Sequence, residues 1–237
     1  MRRLGRSFNE MTARLQASDD QRRRLLADVT HELRTPLSVI QGNLEGISDG
    51  VYAADEQHLA PVLEETRVMA RLLDDLQMLS TADAGALRLD REPTDLGALA
   101  GEVVAAFQPR AAEAGVVLSS APSSLADIDV DALRIRQVLE NLVANALRHT
   151  PAGGTVTIRL SREEGGISVA VSDTGTGIPA DELDSIFDRY TRSADSGGSG
   201  LGLAIAKSLV EAHGGSIRAD SATGHGTTIR LLLPQGE

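Results

Sequence analysis

The chain has 237 residues, 41% of them hydrophobic and 24% charged, which is enough apolar material for two soluble domains joined by a linker. Its formal net charge of −11 argues against nucleic-acid binding, because phosphate contacts require clustered Lys and Arg, and the 2% of aromatic residues provide few stacking platforms. The chain has no cysteine and therefore no disulfides, and no segment approaches the ~18 apolar residues that cross a bilayer.

Two apolar stripes at helical spacing predict a helical hairpin in the first third of the chain. The first helix is predicted over residues 20–48, and the second follows a polar break at Ser48–Asp55. The stripes consist of Leu26, Val29, Leu33, Leu37, Ile40, Leu44 and Ile47, and then Leu59, Val62, Met69, Leu73, Leu76 and Leu79. One hairpin has too small a core to be stable alone, so two copies are expected to pair into a dimeric four-helix bundle.

A segment without periodicity, residues 83–94, precedes a region that contains both helices and strands. Helices are predicted at 96–114, 131–149 and 201–213, and strands with alternating apolar residues at 155–160, 167–172 and 227–233. The short turn with Gly165 and Gly166 favours antiparallel pairing of the first two strands, which disfavours a doubly wound sheet. The predicted fold class is therefore α+β, with a helical hairpin followed by an α/β sandwich.

His31 is the first candidate for chemistry, because it lies opposite the apolar stripe of the first helix, where its imidazole would face solvent. A neutral ring nitrogen can accept a phosphoryl group near neutral pH, and Glu32 could orient the ring or take its proton. A lone exposed histidine is usually an ordinary solvated side chain, but here it begins the sequence His-Glu-Leu-Arg-Thr-Pro. Pro36 should bend the helix about one turn beyond His31, unless it is a tolerated kink without a role.

Three further groups of residues point to a site for a small anionic ligand. Asn141 and Asn145 are one turn apart on a predicted helix, and their amide oxygens suit a Mg²⁺ ion that is shared with phosphates, although such a pair is more often a polar helix face. Asp173 follows a strand and begins a glycine-containing turn, where its carboxylate could accept a base's amino hydrogen. The glycine-rich segment 197–203 opens a helix whose backbone N–H groups suit phosphates, although glycine clusters usually make only turns.

Together these motifs resemble the sensor histidine kinases of two-component systems. The resemblance rests on HELRTP as the phosphoacceptor box, NLVANALRHT as the asparagine box, and DTGTGIP and GGSGLGLAIAKSLVEAHGG as glycine boxes with IFDRYTR between them. The first residues, RLGRSFNEMTARLQ, look like the end of a HAMP linker. The resemblance divides the chain into a HAMP-like segment at 1–19, a dimerisation and phosphoacceptor hairpin at 20–82, a linker at 83–94 and an ATP-binding catalytic domain of the gyrase and histidine kinase type at 95–237.

The resemblance implies an ATP-dependent autokinase that phosphorylates His31 and transfers the phosphoryl group to an aspartate of a response regulator receiver domain. Glu32 and Thr35 match the family's pattern for dephosphorylating that partner. The chain itself is expected to be the soluble, cytoplasmic portion of a bacterial inner-membrane sensor, and it would reach the membrane only through an upstream segment.

The same resemblance implies a residue set for ATP and Mg²⁺. Asp173 would bind the adenine amino group, Asn145 and Asn141 would hold Mg²⁺, and Arg192 would offset charge during transfer. The other expected nucleotide contacts are Arg148, His149, Gly175, Gly177, Ile178, Gly198, Gly200, Leu201 and Gly202. Phe187 would anchor a short lid between Arg192 and Gly198.

Two alternatives stay open beside the autokinase. One is a dimeric scaffold that binds ATP without transferring phosphate, although no acceptor or Mg²⁺ residue is missing from the sequence. The other is an ATPase clamp of the gyrase type, in which the position of Asn141 resembles a glutamate that activates water. Asparagine cannot act as that base, which favours the autokinase.

Overall fold

A computed structural model of the chain describes residues 29–30, 32–121, 125, 127–188 and 200–235. The chain divides into two compact units, one that ends at Asp74 and one that begins at Asp75. Across the described ranges, no helix combines the length and the apolar character that a membrane span requires.

The first unit is built on one helix and the greater part of a second. Helix α1 includes the described residues 29–30 and 32–48, and helix α2 spans Glu56–Asp83. The break between them lies where the sequence predicted it. The first residues of the predicted helix, 20–28, and His31 lie outside the described residues.

The loop between α1 and α2 is closed by local contacts. The carboxylate of Asp55 accepts the backbone N–H of His58 at 3.3 Å and lies 2.9 Å from the Nδ1 of the same residue, which caps the start of α2. The Tyr52 ring stacks on the His58 ring with centroids 4.5 Å apart. The Tyr52 ring also lies so close to Gly46 that a Cβ at this glycine would collide with it. The loop is therefore fixed by side-chain packing on the last turn of α1.

Several apolar side chains of the first unit are exposed in the single chain. Leu37 on α1 is 50% exposed and Leu44 is 46% exposed. On α2, Leu63 is 58% exposed and Leu73 is 54% exposed. The hairpin therefore carries apolar surface that the described chain does not cover.

The second unit contains three further α-helices and seven strands among its described residues. The helices are α3 (Leu96–Glu113), α4 (Ala132–His149) and α5 (Gly202–Ala212), and a short 3₁₀ helix spans Leu183–Ser185. The strands are β1 (Glu92–Thr94), β2 (Val117–Ser120), β3 (Ile128–Val130), β4 (Thr155–Glu163), β5 (Gly166–Asp173), β6 (Ser216–Ser221) and β7 (Thr227–Pro234). Five strands form a sheet in the order β2-β4-β5-β7-β6, and β1 pairs with β3.

One face of the five-stranded sheet is covered by the helices. Alternate residues of β4, β5 and β7 point toward α3, α4 and α5 and are buried, which follows from the period of two along a strand. The core side chains from the strands are Val156, Ile158, Ile167, Val169, Val171, Ile229, Leu231 and Leu233, and those from the helices include Val103, Ile135, Val138, Leu139, Leu142, Ile205 and Leu209. The opposite face of the sheet carries no helix from the described part of this unit.

The helices begin at capping residues. The Asp95 carboxylate accepts the backbone N–H groups of Gly97 and Ala98 at 2.8 and 3.0 Å, and Asp131 accepts the N–H of Arg134 at 3.1 Å. These caps fix the starts of α3 and α4, which the sequence predicted to within one residue.

The antiparallel pairing of β4 and β5 is confirmed, with Arg159 opposite Ala170. Four strands were missed. Strands β1, β2 and β3 have only 3 to 4 residues, which is too short for an alternating pattern to be recognised. Strand β6, Ser216–Ser221, is an edge strand without a buried residue, so its composition does not resemble a core strand.

Candidate functional site

The end of β5 presents a carboxylate with one oxygen fixed and the other open. The Oδ1 of Asp173 accepts the backbone N–H of Gly175 at 2.8 Å and that of Thr227 at 3.1 Å. The Oδ2 accepts no hydrogen bond from the described residues. Burial raises the pKa of the Asp173 carboxyl above its usual range, while the two N–H donors and nearby His149 act in the opposite direction. Asp173 is thus a positioned, half-buried acceptor.

The loop after Asp173 packs closely against the backbone of two neighbouring segments, which explains why two of its positions are glycines. A Cβ at Gly175 would collide with the carbonyl oxygen of His149, and the N–H of Thr176 donates to the same oxygen at 3.2 Å. Gly177 has a φ of +69°, and a Cβ there would collide with the carbonyl oxygen of Ala222. The loop is therefore clamped between the end of α4 and the turn after β6.

His149 closes α4 beside this loop. Burial lowers the pKa of its imidazole, the positive charge of Arg148 lowers it further, and the Asp173 carboxylate opposes both effects. His149 is consequently neutral at physiological pH, and its ring adds no positive charge beside Asp173.

Asn141 connects α4 to the start of α5. Its Nδ2 donates to the carbonyl oxygen of Gly202 at 3.3 Å. Helix α5 begins after Leu201, whose own side chain makes no capping hydrogen bond. Gly200, with a φ of +66°, turns the backbone into the helix. An amide side chain and the start of a helix are thus adjacent, which suits an anion.

The comparisons with known proteins agree with this geometry. Residues 130–237 match the family described as Histidine kinase-, DNA gyrase B-, and HSP90-like ATPase, and residues 21–85 match the His Kinase A (phospho-acceptor) domain. The solved structure of Acinetobacter baumannii histidine kinase AdeS is similar to the chain with a TM-score of 0.76 and 30% identity, over 87% of this chain and 98% of that one. The chain belongs to the sensor histidine kinases.

Other members of the family are similar over most of this histidine kinase. Signal transduction histidine-protein kinase BaeS from Escherichia coli (strain K12) is 37% identical over 98% of this chain, which spans 51% of the length of BaeS. The crystal structure of full-length ShkA in complex with AMPPNP is 30% identical, with a TM-score of 0.70, and covers 90% of this chain and 46% of that one. This kinase chain therefore spans about half the length of these relatives.

The structure brings together part of the predicted histidine kinase site. Asp173, Gly175, Gly177 and Ile178 lie in one loop against His149, and Asn141 contacts Gly202. On α4, Asn145 is half-buried and Arg148 is exposed. The predicted residues that remain on α1 are Glu32, which is half-buried, and Thr35, which is exposed. His31, Arg192 and Gly198 lie outside the described residues, while Phe187, before them, is half-buried.

The sequence prediction missed the turn between β6 and β7, which completes the surroundings of Asp173. Thr227 donates its N–H to the Asp173 carboxylate, and a Cβ at Gly226 would collide with the Asp173 carbonyl oxygen. The N–H of Gly224 donates to the carbonyl oxygen of Thr176 at 2.7 Å. The signal was present as two glycines just before a strand in Gly-His-Gly-Thr-Thr, a pattern that permits close backbone approach.

A buried histidine, His213, also joins the helices that carry the candidate site. Its Nδ1–H donates to the carbonyl oxygen of Leu209 at 2.7 Å, and its Nε2 accepts the backbone N–H of Asp131 at 3.1 Å. The Asp131 carboxylate accepts the N–H of Asp90 at 3.1 Å, and the Arg91 guanidinium donates to the His213 carbonyl oxygen at 3.3 Å. The imidazole thus connects the end of α5 to the start of α4, and the His213 carbonyl and the Asp131 carboxylate hold the segment that precedes β1.

Proposed function

We propose that the chain is the kinase core of a two-component sensor, which binds ATP with Mg²⁺, phosphorylates His31 and passes the phosphoryl group to an aspartate of a response regulator. The observation that carries the proposal is the state of Asp173. Its Oδ1 is held by two backbone N–H groups, while its Oδ2 receives no hydrogen bond from the described residues. An amino group such as that of adenine supplies the missing donor.

The phosphates of ATP would lie at the start of α5. Gly200, Leu201 and Gly202 would contribute backbone N–H groups there, and the helix dipole favours negative charge at this end. A Cβ at Gly202 would lie 3.7 Å from the Cγ of Asn141, so the fold does not require glycine at this position. The close approach of a ligand to the backbone would explain why this position is a glycine. The ShkA structure is a complex with AMPPNP, which supports nucleotide binding by this chain.

Arg148 and His149, together with Gly198 and Arg192, complete the proposed nucleotide contacts. Arg148 lies on the exposed end of α4, where its guanidinium can reach a phosphate. Neutral His149 would pack near the base, where its lowered pKa avoids a charge beside the ligand. Arg192 would offset the charge that develops as the γ-phosphoryl group leaves.

The Mg²⁺ site would depend on the nucleotide. Within the described ranges, no group of three or more His, Asp or Glu side chains could hold a metal ion by itself. Asn141 and Asn145 offer amide oxygens, and Mg²⁺ commonly combines few protein ligands with phosphate oxygens and water. A Mg²⁺ ion held in this way neutralises phosphate charge during transfer. Since the Asn141 Nδ2 donates to Gly202, its Oδ1 is the atom that stays available.

The transfer step joins a ring nitrogen to phosphorus. A neutral nitrogen of His31 attacks the γ-phosphorus, the bond from phosphorus to the bridging oxygen breaks, and ADP leaves with the electron pair. The phosphorylated imidazole then loses the proton on its other nitrogen, for which Glu32 is the nearest base in sequence. In the second step a carboxylate oxygen of the regulator attacks the same phosphorus, the N–P bond breaks, and the His31 nitrogen keeps the electron pair and takes up a proton, which regenerates the neutral imidazole.

We propose that the protein is a homodimer. Leu37, Leu44, Leu63 and Leu73 are 46% to 58% exposed in the single chain. Pairing two hairpins would bury these side chains in a four-helix bundle. The match of residues 21–85 to the His Kinase A domain supports this assignment.

The partner would be a receiver domain that docks beside His31. A solved structure of ThkA in complex with the response regulator TrrA is 22% identical to this chain, with a TM-score of 0.70, and so shares its fold. We further propose that Glu32 and Thr35, next to His31, position water for dephosphorylation of the regulator. An upstream segment would attach the sensor to the bacterial inner membrane.

The test is label transfer from γ-labelled ATP to purified protein. Changing His31→Gln should abolish labelling, because the glutamine amide cannot form a stable bond to phosphorus. The matched control is His58→Gln, which removes another histidine of the same unit and should leave labelling intact. Labelled wild-type protein should lose its phosphate in acid, as a phosphoramidate does.

Two outcomes would replace the proposal by an alternative. Persistent labelling of His31→Gln would place the acceptor elsewhere. Steady release of phosphate without any labelled protein would indicate an ATPase clamp, and ATP binding with neither product would indicate a scaffold. Adding a panel of receiver domains to the labelled kinase would then identify the regulator that accepts the phosphoryl group.

A further inference from the structure

The face of the sheet that is turned away from the helices carries a row of arginines. The strand register places Arg159 opposite Ala170, Ala170 opposite Arg230, and Arg230 opposite Arg218. These four residues therefore form one line across β4, β5, β7 and β6, here called the arginine row. It lies on the same face as Thr157 and Ser161, because alternate residues of a strand share a face.

The charges of the arginine row are poorly compensated. Arg230 has one ion pair, with Asp220 at 3.7 Å. Arg159 and Arg218 are exposed and have no acidic partner among the described residues. Arg218 and Arg230 lie directly opposite each other, an arrangement that costs stability for like charges. A concentration of positive charge is unusual for a chain with a net charge of −11.

Two buried polar atoms on this face also lack partners. The Oγ of Ser168 and the Nε of Arg230 have no hydrogen bond in the described part of the chain. Ser168 is only 1% exposed although it lies on the face without helices, one cross-strand row from Arg230. In the adjacent row the hydroxyls of Thr228 and Ser172 satisfy each other at 3.0 Å. The hydrogen-bonding potential of the Ser168 Oγ and the Arg230 Nε is thus not satisfied by the described residues.

The arginine row spans four strands, and its long side chains lie on either side of β5. Strand β5 contributes only small side chains to this face, namely Ser168, Ala170 and Ser172, and the longer side chains of Arg159 and Arg230 flank them. Neighbouring strands are about 4.8 Å apart, so Arg218 and Arg230 are separated by about 5 Å at the backbone, and Arg230 and Arg159 by about 10 Å. The row thus presents two exposed guanidinium groups, those of Arg218 and Arg159, on either side of the half-buried Arg230.

We propose that this face binds an acidic helix of a protein partner, which lies across the strands along the arginine row. A helix rises about 1.5 Å per residue, so carboxylates at positions i, i+4 and i+11 are about 6 and 10 Å apart and lie within one narrow stripe. These spacings match Arg218, Arg230 and Arg159 in that order. The guanidinium groups would bind the carboxylates as bidentate pairs.

A protein fits this face better than a nucleic acid. The described face has no aromatic side chain for stacking, and the high negative charge of the whole chain repels a long polyanion. A short stripe of three carboxylates needs only the local positive charge. The interaction is separate from the proposed nucleotide site, since the row residues lie on the face of the sheet that is turned away from the helices.

The test uses two synthetic helical peptides of equal composition with a fluorescent label. One carries glutamates at i, i+4 and i+11, and the other carries them at i, i+2 and i+9, which places them on two faces. Fluorescence anisotropy with the full chain should show binding of the first peptide at low salt. The isomer should bind about tenfold more weakly, and added salt should weaken the first complex.

The variants are the double change Arg159→Ala with Arg218→Ala, and Arg162→Ala as the matched control. Both changed arginines of the double variant are exposed, so the fold should be retained, which thermal unfolding would check. The double variant should bind the first peptide about tenfold more weakly. Arg162 lies on the same strand but its guanidinium bonds to the Gln235 side chain at 2.9 Å, so its removal should not change binding.

Equal binding of the two peptides, or an unchanged affinity in the double variant, would overturn the proposal. No binding of either peptide would overturn it as well. Tighter binding of a single-stranded oligonucleotide than of the first peptide, lost in the double variant, would assign the face to nucleic acid instead.

Discussion

The two units of the chain differ in how far their large apolar side chains are buried. In the α/β unit, Ile167, Ile205 and Leu209 are each 0% exposed. In the helical unit, Leu37 is 50% exposed and Leu63 is 58% exposed. A sheet covered by three helices completes its own core, whereas two helices leave apolar surface open. The comparison predicts that the α/β unit is stable by itself, and it supports the proposal that the hairpin pairs with a second copy.

The largest expected effect follows from removing that apolar surface. Changing Leu37→Ser together with Leu44→Ser should dissociate the proposed dimer, because four leucines per dimer are lost. Each half-exposed leucine contributes roughly 1 kcal/mol on burial, so the dissociation constant should rise about a thousandfold. Sedimentation over a range of concentrations would measure this change.

The control for the dimer prediction is a core change in the other unit. Leu209→Ala should cost about 2–5 kcal/mol of unfolding free energy at any protein concentration, because it creates a cavity in a complete core. If the hairpin variant stayed dimeric, the exposed leucines would have another role and the contrast between the units would fail.

The second prediction sharpens the role of the α/β unit. Asp173→Asn should reduce ATP affinity by about 10- to 100-fold, which corresponds to roughly 1.5–3 kcal/mol for a hydrogen bond to a charged group. The Oδ1 of asparagine can keep the bonds from Gly175 and Thr227, while its amide nitrogen would replace the open oxygen by a donor. Isothermal titration with ATP and Mg²⁺ would measure the affinity.

The fold of this variant should be intact or slightly more stable at neutral pH. The pKa of Asp173 is raised by burial, so ionisation of the carboxyl costs the native state free energy as the pH rises from about 3.8, and asparagine has no such cost. Gly175→Ala is the contrasting variant. Its Cβ would collide with the His149 carbonyl oxygen, so it should destabilise the fold as well as binding. If Asp173→Asn bound ATP with unchanged affinity, the proposed contact between Asp173 and the adenine amino group would be wrong.

The sequence predicted the parts of the fold that have a long periodic pattern. Helices α3, α4 and α5 and strands β4, β5 and β7 were located because each buries one face over 8 or more residues. The parallel pairing of β2 with β4 joins residues that are distant in sequence, so no local sequence pattern predicts it.

The same limit applies to the site. Asp173 and its glycines were found because they are contiguous in sequence. Thr227 and His213 were missed because their partners, Asp173 and Asp131, are far away along the chain. The roles of the predicted site residues themselves stay predictions.

The smallest expected effect concerns pH and the buried His213. Burial lowers the pKa of this imidazole, Arg91 lowers it further, and the Leu209 carbonyl and Asp131 oppose this. Between the native pKa and about 6.5 the unfolded chain therefore binds more protons than the native state. The contribution of neutral His213 to the unfolding free energy should therefore be complete above about pH 6.5. It should decrease as the pH falls below this value. Protonation would also place a second N–H against that of Asp131, because Nε2 now accepts this bond.

Chemical denaturation between pH 5 and 7.5 would measure this dependence. His213→Gln should lose about 1–3 kcal/mol at pH 7.5, since a buried N–H loses its partner, but its stability should depend less on pH than that of the wild type. His149 has a lowered pKa as well and adds a slope of the same sign, so His149→Gln is the matched variant. If both variants kept the wild-type slope, neither buried imidazole would control the pH dependence. If His213→Gln alone flattened it, acid would weaken the α/β unit at the junction of α4, α5 and the segment before β1.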